Sequence, residues 1–175
     1  MAFNRAAIIA ASQPRRWATT GTAMTASAIT IRAAHPGDAP SATACVHAAF
    51  EPYVQRIGKP PAPMLSDYAA LAAEAKVWVA QRDEQMVGVL VQYETEDGFY
   101  IDTVASSPAA RGTGVGRALL EFAEAEARAR GFASIYLCTN SRMTENQALY
   151  PRIGYVEYDR RAQGGYERVF YRKRL

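Results

Sequence analysis

Phe99-Tyr-Ile-Asp102-Thr-Val104-Ala-Ser106-Ser-Pro108-Ala-Ala-Arg111-Gly112-Thr113-Gly114-Val115-Gly116-Arg117 is the stretch on which the fold turns, because its periodicity changes partway along. From Phe99 to Val104 the side chains alternate, Phe99, Ile101 and Thr103 against Tyr100, Asp102 and Val104, which is the pattern of a strand and puts Asp102 on the Val104 face. From Thr113 to Arg130 the period becomes helical. Val115, Ala118, Leu119, Phe122, Ala125 and Ala129 make the expected inward stripe, with Arg117–Glu121 and Glu124–Arg128 as i,i+4 pairs on the outer face. Between strand and helix lie Gly112, Gly114 and Gly116, flanked by Arg111 and Arg117. Glycines let the backbone come close to an anion, and the free N–H groups at a helix start point at it. A dinucleotide fingerprint would need a parallel β-α-β unit with an acid about 20 residues on, and a Walker loop would need Gly-Lys-Ser/Thr. Neither is present, since Arg117 follows Gly116 and the preceding strand belongs to an antiparallel meander.

Upstream, Ala28 to Arg32 reads as a strand, His35-Pro36-Gly37-Asp38 as a turn, and Ser41 to Phe50 as a helix with Val46, Ala49 and Phe50 on one side. Pro52, Pro60, Pro61 and Pro63 are expected to prevent that helix from running through Glu51 to Met64, because proline lacks the N–H and clashes with the preceding turn. Ser66 is the expected cap of a second helix reaching Lys76. Lys76 to Arg82 and Gln85 to Glu94 form a hairpin. Downstream, Gly131 ends the long helix, Ser134 to Thr139 is a buried strand, and Thr144 with Gln147 fits a capping box. Pro151 should keep the helix that follows short or kinked. Tyr155 to Arg160 and Tyr166 to Lys173 close the chain as a hairpin. The order β α α β β β α β α β β predicts a single α/β domain with a largely antiparallel sheet and one crossover helix making a local parallel pair.

The composition agrees with one domain: 175 residues, 49% hydrophobic and 21% charged. A chain of this size buries enough surface to need no disulfide or metal staple. Cys45 and Cys138, without Cys-x-x-Cys or His spacing, read as reduced core residues of a cytoplasmic protein, and no metal site is expected. The net charge of +3 comes from Arg5, Arg15 and Arg16, since residues 28–175 carry 17 basic and 17 acidic residues. That balance speaks against a nucleic-acid partner. Apolar runs such as Ala6 to Ala11 and Val87 to Val91 fall short of the ~20 residues of a membrane span. Residues 1–27, rich in Ala, Thr and Ser and free of acids, form an N-terminal extension, read as a disordered tail or a misplaced start with Met24 the true one. A short packed helix and a targeting segment are the other readings.

Val104 to Leu120 closely resembles the acetyl-CoA pyrophosphate loop and helix of the GCN5-related N-acetyltransferase (GNAT) family. A second segment, Thr144-Glu-Asn146-Gln-Ala-Leu-Tyr150-Pro-Arg-Ile-Gly154-Tyr155, is similar to that family's Asn … Ala-Leu-Tyr … Gly-aromatic segment. With the element order, the resemblance covers Ile29 to Leu175 and makes residues 28–175 an N-acetyltransferase domain with the family's mixed, largely antiparallel sheet flanked by helices. It implies acetyl-CoA as co-substrate. It further implies that backbone N–H groups of Arg111, Gly112, Thr113, Gly114, Val115, Gly116 and Arg117 hold the pyrophosphate. Val104 and Ser106 would pair through the backbone with the pantetheine amides, Asn146 would bond the pantetheine arm, and Tyr150 would sit at the thioester sulfur. Ser106 departs from the family's usual apolar residue, at a contact made by the main chain.

The implied reaction is direct attack of a neutral primary amine on the thioester, which needs a donor for the developing oxyanion and a proton for the leaving thiolate. Tyr150 is the expected acid, against an ordinary core tyrosine. Asp102 is the candidate base, against an exposed carboxylate; Glu94, Glu96 and Asp97 flank the same strand, and His47 reads as structural. Tyr53, Arg56, Met64 and Asp67 fall where the family places its substrate-covering segment. There an acidic and aromatic lining would suit a small cationic amine, and Arg56 a carboxylate-bearing one. The acceptor expected is a small amine or amino acid, the alternatives being a peptide or protein N-terminus or a non-catalytic acyl-CoA sensor. The protein is expected to be a monomer or homodimer, without nucleic-acid or membrane partners.

Overall fold

A computed structural model describes residues 28–175, so the expectations for residues 1–27 lie outside the described residues. Seven strands form one sheet: β1 (Thr30–Ala33), β2 (Val77–Arg82), β3 (Gln85–Thr95), β4 (Gly98–Ser106), β5 (Ser134–Asn140), β6 (Val156–Gln163) and β7 (Tyr166–Arg174). Their order is β1-β2-β3-β4-β5-β7-β6. Neighbours are antiparallel except β4 and β5, which pair in parallel across the crossover helix α3 (Val115–Ala129). Helices α1 (Ala39–Ile57), α2 (Tyr68–Ala73) and α4 (Thr144–Arg152) complete the expected order.

Each sheet face has its own core. Ala42, Cys45, Val46 and Ala49, spaced to make one stripe of α1, join Tyr68 and Ala72 of α2 over Val77, Val89, Val91 and Ala105. On the other face Val115, Leu119, Leu120, Ala123 and Ala127 of α3 cover Leu90, Phe99, Ile101, Ile135 and Leu137.

Several local expectations are corrected. Helix α1 continues through Pro52 to Ile57 and stops at Gly58, whose φ of 81° lets its N–H reach the carbonyl of Val54 at 2.9 Å. That left-handed cap, rather than the proline, ends the helix. Asp67, not Ser66, caps α2, accepting from the N–H groups of Ala69 and Ala70 at 3.0 Å, and α2 ends at Ala73. Helix α4 accommodates Pro151 in its last turn, and Thr144 and Gln147 form no capping box, Gln147 Nε2 donating instead to the carbonyl of Ser141.

The stripe of α3 is also rotated from the expected one, with Ala125 and Ala129 exposed and Glu124 only 6% exposed. Lys173 makes that burial tolerable. Its Nζ donates to both Glu124 oxygens, at 2.7 and 2.8 Å, while Arg128 stands 4.0 Å away.

Gly88 on β3 sets how closely α3 approaches the sheet. A Cβ there would lie 2.7 Å from Val115 Cγ1, 3.0 Å from Leu119 Cδ1 and 2.9 Å from the Ala105 carbonyl oxygen. The last contact is to a paired strand that cannot give way. Gly88→Ala is expected to destabilise the fold by about 1–3 kcal/mol, as overpacking does, read from a lower denaturant midpoint at unchanged slope.

Candidate active site

The site begins with an irregularity in β4. Val91 pairs with Thr103 and Gln92 with Ile101, so Asp102 is an extra residue opposite no partner on β3. Such a bulge bends its strand and re-aims the side chain it carries. Pairing between β4 and β5 runs from Phe99↔Ile135 to Ile101↔Leu137 and ends there, one residue before the bulge. Beyond it both strands continue, β4 to Ser106 and β5 to Asn140, with the β4 edge from Asp102 to Ser106 unpaired on that side.

The glycine loop stands at the end of that open edge. Gly112 and Gly114 have φ of 75° and 90°, and Gly114 caps α3 in the left-handed conformation. No backbone carbonyl of the described residues accepts from the N–H groups of Gly112, Gly114, Val115, Gly116 or Arg117. These are the orphan donors of a helix start, a concavity suited to an anion. Arg111 and Thr113 are less free: their N–H groups reach the carbonyls of Pro108 and Ala110 at 3.3 Å. The Arg111 guanidinium also ties the loop to α1 by donating to the Ala49 carbonyl at 2.9 Å, and Arg117 pairs with Glu121 at 2.7 Å. Ser106 lies under the loop, its Oγ 3.4 Å from where a Gly116 Cβ would stand. A small residue at each position keeps the helix start close to the strand.

Two cavities meet at the open edge. A groove of about 740 Å³ runs from Arg111, Gly116 and Arg117 past Ser106 and Val104 to Asn146 and Tyr150. A smaller cavity of about 120 Å³ lies on the other side, against Asp102, Val104, Asn146, Tyr150 and Arg168. Val104, Asn146, Tyr150 and Phe50 line both, so the junction is built from β4, α4 and α1.

Tyr150 is 8% exposed, its ring held between Tyr155 and Tyr171 with centroids at 5.8 and 5.4 Å. No hydrogen bond within the described residues occupies its hydroxyl, and burial raises its pKa above the ordinary tyrosine value. It therefore stays protonated at neutral pH. Asp102 is half-buried, and partial desolvation lifts its carboxyl above the usual range, against the hydrogen bond from Thr103 at 3.0 Å, the Arg168 charge and the Tyr93 hydroxyl at 3.5 Å. Asn146 is oriented by donating to Thr139 Oγ1 at 3.1 Å.

The four acceptor-segment residues separate. Tyr53 lines the larger groove, and Arg56, 5.4 Å from its ring, pairs with Glu145 of α4 at 2.8 Å. Asp67 is spent as the α2 cap and Met64 offers its carbonyl to His47 at 3.0 Å; neither lines the small cavity. What closes that cavity is the Pro61–Pro63 segment, drawn onto the β6–β7 hairpin by Tyr166, whose hydroxyl donates to the Pro60 carbonyl at 2.6 Å, and by Lys59, which donates to the Gly165 carbonyl at 2.5 Å. Sequence reasoning missed Tyr166, Cys138 and Arg168. Arg168 alternates with the buried Val169 and shares a strand face with buried Phe170, a signal that a guanidinium there needs a reason.

The acetyltransferase (GNAT) family model matches residues 43–155. The chain belongs to that family. No curated protein matches it. Its fold is similar to that of the PaiA N-acetyltransferase from Thermoplasma acidophilum in complex with coenzyme A, with a TM-score of 0.71 at 14% identity over 85% of this chain and 99% of that one. The ribosomal-protein-S18-alanine N-acetyltransferase from Escherichia coli is similar at a TM-score of 0.66 and 21% identity over 84% and 94%. An IAA acetyltransferase from Bacillus cereus gives 0.61 and 18% over 85% and 100%. As a family member the chain transfers acetyl groups from acetyl-CoA. Among the described residues no group of three or more His, Cys, Asp or Glu is placed to hold a metal, and no helix is long and apolar enough to cross a membrane.

Proposed function

We propose that the chain is an N-acetyltransferase acting on a small primary amine, with residues 28–175 as the catalytic domain. The observation that carries this reading is the meeting of two cavities of different size at Val104, Asn146 and Tyr150, with the half-buried carboxylate of Asp102 on the smaller side. The groove has the chemistry of a coenzyme A site: orphan N–H groups of Gly112 and of Gly114 to Arg117 for the pyrophosphate, and the open β4 edge at Val104 and Ser106 for the pantetheine amides. Asn146 bonds the pantetheine arm at the junction.

The amine enters the small cavity and loses its proton to Asp102, directly or through water. Its nitrogen bonds the acetyl carbon as the carbon–sulfur bond breaks. Charge developing on the carbonyl oxygen is met by a backbone N–H of the β4 edge, and Tyr150 gives its proton to the departing sulfur. No protein nucleophile is needed.

A small acceptor suits the cavity of about 120 Å³ beside Asp102, where Pro61–Pro63 is tied down by Tyr166 and Lys59. The neighbours do not choose between a small acceptor and a protein N-terminus, since the one named for a ribosomal protein and the one named for IAA share the fold alike. A sensor would have no use for a half-buried carboxylate beside the junction. Thiol release from acetyl-CoA in the presence of a mixture of small amines tests the proposal; release is expected, and none with any amine would overturn it.

The role of Asp102 predicts a pH profile. The ionised form is the base, and burial raises the pKa at which it is lost, so kcat/KM should fall with decreasing pH along a limb centred above the ordinary value of about 3.9. Asp102→Asn should remove that limb and slow turnover by about 10²-fold. An unaltered profile in the variant would assign the proton to another acceptor.

A further inference from the structure

The small cavity holds a positive charge that the acetyl-transfer chemistry does not use. Arg168, half-buried on β7, lines it together with Asp102. Three other cations at or beside the site have carboxylate partners, Arg56 with Glu145, Arg117 with Glu121 and Lys173 with Glu124, and Arg111 and Lys59 are taken up by backbone carbonyls of Ala49 and Gly165. Arg168 has none within ion-pair distance among the described residues, and it does not pair with Asp102. Its guanidinium donates to Cys138 Sγ at 3.0 Å, a weak acceptor for a group with five donors, and lies 5.7 Å from the Tyr166 ring centroid. A half-buried guanidinium so poorly matched by its own protein is a site for a planar anion.

We propose that Arg168 binds the carboxylate of the acceptor, so that the enzyme acetylates an amine that also carries a carboxylate, an amino acid in the broad sense. The inference rests on the N-acetyltransferase reading above. Within one cavity, Asp102 then faces the amine and Arg168 the carboxylate, two opposite charges held apart to match a zwitterion. The Arg56 guanidinium, which the sequence offers for the same task, is already matched by Glu145 and stands outside this cavity. Arg168 acts here as a specificity-determining residue and not in the proton transfers.

The test uses the full chain and matched acceptors: free α-, β- and γ-amino acids against their carboxamides, compared at equal concentrations of unprotonated amine. With wild type, at least one free acid should exceed its carboxamide in kcat/KM by about 10- to 100-fold, the range expected for a hydrogen bond between charged groups. In Arg168→Gln the ratio of free-acid to carboxamide kcat/KM should fall to about one, mainly through a higher KM for the free acid, while the coenzyme A-induced rise in melting temperature persists. Arg168→Lys should restore part of the preference. Carboxamides serving as well as every free acid in wild type, or an undiminished preference in Arg168→Gln, would overturn the inference and leave the N-acetyltransferase reading standing. Should Arg168→Gln fail to fold, as its melting temperature would show, the wild-type series alone decides. Absence of thiol release with every amine is a different result and overturns the underlying reading with it.

Discussion

Replacing Tyr150 by Phe should lower kcat by about 10² to 10⁴-fold at neutral pH while leaving folding and coenzyme A affinity intact. The ring keeps its place between Tyr155 and Tyr171, so packing is preserved, and the hydroxyl removed makes no hydrogen bond within the described residues. What disappears is the one proton donor lining both cavities whose pKa, raised by burial, keeps it protonated through the neutral range. With an acetyl thioester of markedly more acidic thiol the defect should shrink, because a less basic sulfur needs less protonation as it leaves. Single-turnover rates check this free of product release. Unchanged single-turnover rates would make Tyr150 a packing residue.

Gly114→Val should weaken coenzyme A binding by about 10- to 100-fold. Nothing lies within 4 Å of the position a Cβ would take, so the cost is not a clash. It is backbone strain: a β-branched residue held at φ of 90° loses about 1–3 kcal/mol, and relaxing it turns the N–H groups of Gly114 and Val115 away from their common concavity. Tenfold in affinity corresponds to about 1.4 kcal/mol. Titration calorimetry, with the ligand-induced shift in melting temperature as a second readout, measures it. Unchanged affinity would mean that the loop serves only to pack α3 on the sheet.

The element order and the strand–loop–helix centre were legible because each depends on a period running through contiguous residues. Alternation from Phe99 and helical spacing from Thr113 are local signals, and a strand and a helix lie there, although the bulge at Asp102 breaks the alternation and α3 begins at Val115. The bulge at Asp102 is not local. It arises from how β3 and β4 pair, and with it comes the end of β4–β5 pairing that opens the site. Glu124 reads as a surface residue until Lys173, 49 positions away, is brought beside it. Pro52 removes one N–H without stopping α1, whereas Gly58 with its positive φ is the stop, a distinction that the missing N–H alone does not make. Arg168 carries no motif, and only the β5–β7 register, which sets it opposite Asn140, brings it into the cavity with Asp102.

The most direct measurement follows one reaction of acetyl-CoA with a small amine or amino acid by mass spectrometry of the small molecules and of the intact protein together. Direct transfer at the junction of the two cavities predicts free coenzyme A thiol and N-acetylated amine in equal amounts, with no acetylated protein accumulating during turnover. Thiol released without acetylated amine, or an acetylated protein formed and consumed at the rate of turnover, would contradict it.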